Sequence, residues 1–384
     1  MNETRIMTIG EVCATISDTY RAKADEVTLI NTSDVLEGKV LNHERVPNKE
    51  LKGQFKKTFK KNDILYSEIR PQNKRFAFVD FDPVDYIAST KLMVLRADTS
   101  KVLPMYLYYY LKSAPVIAEL QMLAETRSGT FPQITFTELS NLTIPVPSIA
   151  EQEAIVATIK CMEDRIDCNT KINDNLQQQA AALFANFYDH AETEVGFTEI
   201  IQILGGGTPK TGESSYWNGN VPFFTPKDVG SPYTLSTEKT ITEGGLAHCN
   251  SRLYPVNTVF VTARGTVGKV GLPGVPMAMN QSCYALVGKE THQLLVYFYT
   301  LKAVDRLKHK ASGAVFDAIT TRDFESEIIM KLSDEDAQGF LDVAEPIYQA
   351  VLSNSIENLR LAALRDSLLP KLMSGEIDVS DIQL

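Results

Sequence analysis

Residues 148–190, SIAEQEAIVATIKCMEDRIDCNTKINDNLQQQAAALFANFYDH, hold a single periodicity without interruption. Steps of four and three residues pick out Ile155, Ile159, Met162, Ile166, Asn169, Asn173, Leu176, Ala180, Leu183 and Phe187. That spacing keeps one stripe of a helix turned toward a partner, so the stretch predicts a coiled-coil seam. Ser148, three residues before Glu151, reads as a capping box that starts the helix. The seam recurs 185 residues further on as Phe340, Ala344, Ile347, Val351, Asn354, Asn358, Leu361, Arg365, Leu368 and Leu372. Its polar breaks recur too, Asn169 with Asn354 and Asn173 with Asn358. A seam Asn costs stability but fixes register, because only a polar partner satisfies it. One such helix alone could equally be the core-facing helix of an ordinary domain. The duplicated register instead predicts two helices packed antiparallel on each other. About 33 residues at a rise of about 1.5 Å span roughly 50 Å, the length of a spacer rather than of an element wrapped inside one small domain.

The remainder of the chain is duplicated as well. VTLINTSDV (27–35) is answered by VPFFTPKDV (221–229), and NDILYSEI (62–69) by NTVFVTAR (257–264). STKLMVL (89–95) is answered by QSCYALV (281–287), and MYLYYYLK (105–112) by LVYFYTLK (295–302). The β-branched and aromatic runs bounded by turn formers predict strands, and 105–112 a helix whose Tyr106, Tyr109 and Tyr110 pack in a core. Both copies end in a Ser-Gly-led loop, SGTFPQIT (128–135) and SGAVFDAIT (312–320). The expected fold class is therefore α+β. Tandem domains at 1–147 and 191–332 are each followed by a long helix, at 148–190 and 333–384, in a pseudo-two-fold repeat. Pro346 is expected to interrupt the second helix near its start.

With 384 residues, 44% hydrophobic and 22% charged, the chain has the composition of a globular protein of two domains plus connecting elements. No apolar run approaches the about 18 residues of a membrane span, and the start, MNETRIMTIG, has no signal-peptide hydrophobic region. A cytoplasmic, unexported protein is expected. Five cysteines, Cys13, Cys161, Cys168, Cys249 and Cys283, include no CxxC pair and are expected to be reduced and structural. The net charge of −10 sits on the helices: seven acidic residues against three basic over 149–190, and ten against three over 333–384. The domains are close to neutral, with room for local basic faces.

Signatures of catalysis are missing. GGGTPKT (205–211) has glycines and a lysine but not the spacing of a P-loop, no HExxH or GxSxG occurs, and the five histidines are scattered. What remains is a set of loops mixing Arg or Lys with small hydroxyl and amide residues. In the first domain these are KKTFKK (56–61), SEIRPQNKR (67–75) and RSGTFPQ (127–133). In the second they are GTPKTGESSYW (207–217), TPKD (225–228), TARGTVGK (262–269), NQS (280–282) and RLKHKASG (306–313). Arg, Lys, Asn and Gln can pair with base edges, while Ser, Thr and glycine amides reach phosphates. The candidate DNA contacts are Ser67, Arg70, Asn73, Lys74, Arg75, Arg127, Ser128, Thr130 and Gln133 in the first domain. In the second they are Thr208, Lys210, Lys227, Thr262, Arg264, Gly265, Lys269, Gln281 and Ser312. A solvated loop is the plain alternative for each run; recurrence at equivalent places is the argument for DNA. The rival for the whole chain is a structural adaptor on a coiled coil, with the basic loops incidental.

A family resemblance rests on GGTPKTGESSYWNGNVPFFTPKDV (206–229), ARGTVGKVGL (263–272) with NQSCYAL (280–286), IPVPSIAEQEAI (144–155) entering a long helix, and LRDSLLPKLMSGEIDV (364–379). Together they resemble the specificity subunit of type I restriction-modification enzymes, over essentially the whole chain. The resemblance implies two target recognition domains, each reading half of a split double-stranded DNA sequence, and favours the TPKT and ARGT loops as contacts. It implies helices that set the spacing and hold two methyltransferase subunits, with translocating restriction subunits joining to make the nuclease. The chain itself is then non-catalytic and without cofactor, the partners using S-adenosylmethionine, ATP and magnesium. The acidic helix faces, with Leu368, Leu369, Lys371 and Leu372, are expected to bind the methyltransferase, an acidic face suiting a basic protein rather than DNA.

Overall fold

The computed structural model describes residues 4–49, 53–127, 131–310, 318–377 and 379. The chain divides into two compact units, Met1–Asp164 with Leu361–Leu384, and Arg165–Arg360. Each unit is one α+β domain with one end of each of two long helices, Ile149–His190 and Asp334–Ser374.

In the first unit, Arg5–Thr8 pairs antiparallel with Thr143–Val146 and closes the domain where it enters the central helix. A four-stranded antiparallel sheet runs in the order Cys13–Ile16, Leu92–Ala97, Ile64–Ser67, Phe76–Phe78. A second sheet carries Glu26–Ile30 parallel to Tyr86–Ser89. The second unit repeats this plan. Thr193–Gly196 pairs with Ile328–Lys331, and Ile201–Gly205, Cys283–Gly288, Val259–Thr262 and Val270–Pro273 are consecutive antiparallel neighbours. Phe223–Phe224 runs parallel to Ala278–Met279. The tandem α+β repeat expected from sequence is borne out at the level of strand pairing.

The register of the repeat can be read bond by bond. Ser67 N donates to Arg75 O at 2.8 Å, as Thr262 N donates to Lys269 O at 2.9 Å. Lys91 N donates to the Ser89 hydroxyl at 3.1 Å just as Ser282 N donates to Asn280 Oδ1 at 3.0 Å. STKLMVL therefore matches NQSCYAL, one residue earlier than QSCYALV.

Helices pair antiparallel in both units. In the second, Asn169 donates to Asn358 Oδ1 at 2.9 Å and to Glu357 Oε2 at 2.8 Å, while Asn354 donates to Asn173 Oδ1 at 2.9 Å. Asn169 is the repeat equivalent of Asn354 but bonds Asn358, and Asn173 crosses likewise, the exchange a local two-fold produces. Arg165 closes this layer with a double hydrogen bond to Glu357, both at 3.1 Å. In the first unit, Ile155 and Ile159 share a core with Leu369, Leu372 and Met373.

Four expectations need correction. At the domain end the fully buried seam residues are Phe184 and Tyr188, with Leu183 and Phe187 only partly buried, because steps of four take over where Phe184 stacks on Phe298 at 4.9 Å. Likewise Tyr348 is buried and Ile347 partly so. Pro346 does not interrupt its helix, which runs unbroken from Asp334 to Ser374; Pro346 and Asp342, the residue whose carbonyl loses its partner, are both exposed. Leu369 and Leu372, expected to bind a partner, are 5% and 3% exposed in the first domain's core, where they cannot also offer a docking face; Leu368 is partly buried there, and Lys371 is exposed. Cys161 and Cys168 are exposed on the central helix, so they have no structural role in a core, whereas Cys13 and Cys283 are buried. Tyr106 and Tyr109 are fully buried, as expected for core residues, whereas Tyr110 is only partly buried against the same core. Among the described residues, no helix is long and apolar enough to cross a membrane.

Candidate nucleic-acid interface

The first domain's candidate loop is residues 67–75, the excursion between strands Ile64–Ser67 and Phe76–Phe78. Its base is held by Ser67, 2% exposed, whose hydroxyl accepts from Ile69 N at 3.0 Å. Its tip is the one-turn helix Pro71–Asn73, flanked by Arg70 at φ 44° and Lys74 at φ 51°. The end of the 127–133 loop lies against it: Ile69 pairs with Gln133, and Arg70 N donates to Pro132 O at 3.2 Å.

The second domain's loop, 262–269, is one residue shorter on the same plan. Thr262 is fully buried; its hydroxyl accepts from Lys269 N at 3.0 Å and donates to Thr266 O. Arg264 pairs with Ala318 as Ile69 does with Gln133. Two positions again have positive φ, Gly265 at 81° and Gly268 at 74°. Counted from the shared loop base and the shared bridge, Arg70 falls on Gly265 and Lys74 on Gly268. A left-handed residue other than glycine is costly, about 1–2 kcal/mol. The first domain therefore holds two long basic side chains where the second uses the residue that fits freely.

Two further loops meet the 262–269 loop, and a third joins through one of them. Ala263 N donates to Ser282 O at 2.8 Å, which brings in residues 280–282. Gln281 in turn accepts from the Thr208 hydroxyl, and Gly207 N donates to Met279 O at 3.1 Å, which brings in 205–211. The Thr266 hydroxyl donates to Pro226 O at 3.1 Å, which brings in the TPKD turn, itself closed by Thr225 and Asp228. Lys210, Lys227, Arg264, Lys269 and Gln281 are all exposed on this cluster. Lys227 has a loose ion pair with Glu238 at 3.7 Å; Lys74 pairs with Glu37 at 3.0 Å.

Not every predicted contact is available. Ser67 and Thr262 are buried and spend their hydroxyls on their own loops, so they shape the loops and cannot touch DNA. Arg75 is half-buried and donates to Ser33 O at 2.9 Å and Val35 O at 3.3 Å, tying the loop to the hairpin Val35–Val40. Thr208 is half-buried and bonded to Gln281. Arg70, Asn73 and Lys74 are exposed at the loop tip, and Gln133 is half-buried beside it. Ser128, Thr130 and Ser312 lie outside the described residues, as does the side chain of Arg127.

Two of the basic runs are partly inward. Lys57 donates to Thr90 O and Leu92 O at 3.0 and 2.7 Å, and burial lowers its pKa. Arg306 bonds Ile328 O and the Tyr188 hydroxyl. One exposed cation was not flagged by sequence: Lys91, which lies 3.1 Å from Gln133 Oε1. Matching STKLMVL to NQSCYAL instead of QSCYALV places Lys91 on Ser282, next to the candidate Gln281, and was the available signal.

Two tandem α+β domains with converging basic and amide loops, joined through paired helices, define a DNA-recognition architecture. Residues 1–178 and 193–336 match the type I restriction modification DNA specificity domain, and the chain belongs to that family of specificity subunits. The type I restriction enzyme HindI specificity subunit of Haemophilus influenzae is 30% identical over 459 residues, covering 98% of this chain and 100% of that protein. The EcoR124I/EcoR124II specificity subunit of Escherichia coli is 28% identical over 62% of this chain and 59% of its own. The type I restriction-modification S subunit of M. genitalium shares the fold, with a TM-score of 0.61, 16% identity and coverage of 97% of this chain and 96% of that one.

Proposed function

We propose that each domain reads one half of a bipartite double-stranded DNA target in the cytoplasm, and that the chain does so without catalysis or a cofactor of its own. Arg70, Asn73, Lys74 and Gln133 serve one half-site. Lys210, Lys227, Arg264, Lys269 and Gln281 serve the other. The observation that carries this reading is the pair of left-handed positions, filled by Arg70 and Lys74 in one domain and by Gly265 and Gly268 in the other. Strain retained in a surface loop, with a strain-free version of the same loop in the same chain, points to side chains kept for contact rather than for folding.

The paired helices fix the number of unread base pairs between the half-sites and carry two methyltransferase subunits, to which restriction subunits are added. S-adenosylmethionine, ATP and magnesium are then used by those partners. Mapping methylated adenines genome-wide with and without the gene tests the reading. A bipartite motif that vanishes with the gene is expected; an unchanged methylome overturns it. Binding to that motif should fall steeply with salt, as phosphate contacts require.

A further inference from the structure

Lys91 is assigned no role by the reading above, yet it is built into the first domain's candidate reading head. It lies in the turn between Tyr86–Ser89 and Leu92–Ala97, where Glu68 N donates to Lys91 O at 3.0 Å. That bond fixes the turn against the 67–75 loop. Its ammonium is 3.1 Å from Gln133 Oε1 and 3.5 Å from Glu68 Oε2, with the side chain half exposed. Gln133 is itself anchored through the bridge to Ile69, and Ile134 N donates to Glu68 O at 2.9 Å. The equivalent positions in the second domain are Ser282 and Ala318, which cannot form this pair.

An ammonium only donates, so the atom of Gln133 facing Lys91 is its oxygen, and the amide nitrogen points elsewhere. Among the described residues that nitrogen has no protein partner. A free glutamine reads adenine by using both ends of its amide, accepting from N6 and donating to N7. Lys91 takes one of the two lone pairs of that oxygen and sets an ammonium beside it, which disfavours the approach of adenine's N6 donor, so Gln133 presents chiefly its N–H donors, beside the cationic Arg70.

We propose that Lys91 is a positioning residue that sets what Gln133 reads, turning it toward a base with major-groove acceptors, guanine above all, and away from adenine. The inference rests on the assignment of the first domain to one half-site.

The test uses the full chain in complex with its methyltransferase, offered a library of targets randomised in both half-sites. Lys91→Met keeps the aliphatic stem and removes the donor. It should shift preference at one position of one half-site toward adenine by about tenfold, while the other half-site stays unchanged and reports that the protein is folded. Lys91→Arg should retain the original preference. Gln133→Ala should flatten preference at that same position. A uniform loss across all sequences in Lys91→Met would show a plain phosphate contact and overturn the proposal. If Arg70→Ala alters a half-site but neither Lys91→Met nor Gln133→Ala does, this inference alone falls. If none of the three alters either half-site, the assignment of these loops to DNA falls instead.

Discussion

Asn354 donates to the side-chain oxygen of Asn173 at 2.9 Å, across the helix pair and in the opposite sense to the repeat that makes Asn354 the copy of Asn169. Asn173 also approaches Val351 O and the Ser355 hydroxyl, both at 3.3 Å. Replacing it alone by leucine leaves polar partners unsatisfied and should cost about 1–3 kcal/mol. The Asn173→Leu, Asn354→Leu double variant should recover much of that loss, because both polar groups then leave the seam. Urea unfolding of the two single variants and the double decides it: additive losses would mean that the two residues do not act as a pair.

Arg70→Gly and Lys74→Gly should move stability and DNA binding in opposite directions. Glycine relieves the left-handed strain, partly offset by greater freedom in the unfolded chain, for a net gain of up to about 1 kcal/mol. Target binding should weaken by about 1–3 kcal/mol at a base contact. Thermal unfolding and binding titrations on the same preparations check both signs. A variant that gained stability and bound as tightly as before would remove that side chain from the interface.

Thr262→Val keeps the shape of a buried side chain but deletes the acceptor for Lys269 N and the donor to Thr266 O. A cost of about 1–3 kcal/mol is expected. Affinity for the second half-site should fall as the 262–269 loop loosens, although Thr262 touches no DNA. Faster amide exchange at Lys269, measured by hydrogen exchange, distinguishes this from a lost contact.

Glu357 accepts hydrogen bonds from Arg165 and then Asn169, which hold its pKa below the ordinary 4.5. A carboxyl with a lowered folded-state pKa stabilises the fold above its unfolded value, and that stabilisation is lost as pH falls through the folded value. Unfolding measured from pH 7 down to below 4.5 should therefore show an acid-side loss that is smaller in Glu357→Gln. Identical slopes in the two proteins would mean that this layer contributes nothing to acid sensitivity.

Leu372→Ala should destabilise the first domain by about 2–5 kcal/mol, the range for a buried leucine. Truncation before Leu368 should do more, since Leu369, Leu372, Met373 and Val379 all belong to that core. Limited proteolysis is the measurement: the first domain should become susceptible while residues 193–336 stay resistant.

The elements that the sequence announces are those whose signal is local. Asn169, Asn173, Asn354 and Asn358 declare themselves because a polar residue at a fixed step breaks an apolar stripe, and the strand runs declare themselves by composition and duplication. The interface was legible in part. Ser67 and Thr262 have the chemistry of phosphate contacts, and only the sheet that buries them turns them into loop supports. Leu369 and Leu372 look alike on a helix whether they face a partner or a core, because burial is decided by a domain more than 200 residues earlier in the chain. Nothing in SEIRPQNKR marks Arg70 and Lys74 as left-handed; the glycines at the equivalent places in ARGTVGK were the only hint.

The first domain's core is completed by Leu369, Leu372, Met373 and Val379, whereas the second unit is one continuous segment, Arg165–Arg360. On the ribosome this inverts the usual order. At about 5–20 residues per second, the wait between Asp164 and the last of these side chains is roughly 10 to 40 s. During it, the N-terminal domain lacks one wall of its core, and the later-made unit, complete at Arg360, is finished before that wall arrives. The nascent chain thus presents an apolar face of its own making until that segment is made. A stop codon anywhere in the last turns of the C-terminal helix would be felt in a domain translated more than 200 residues earlier.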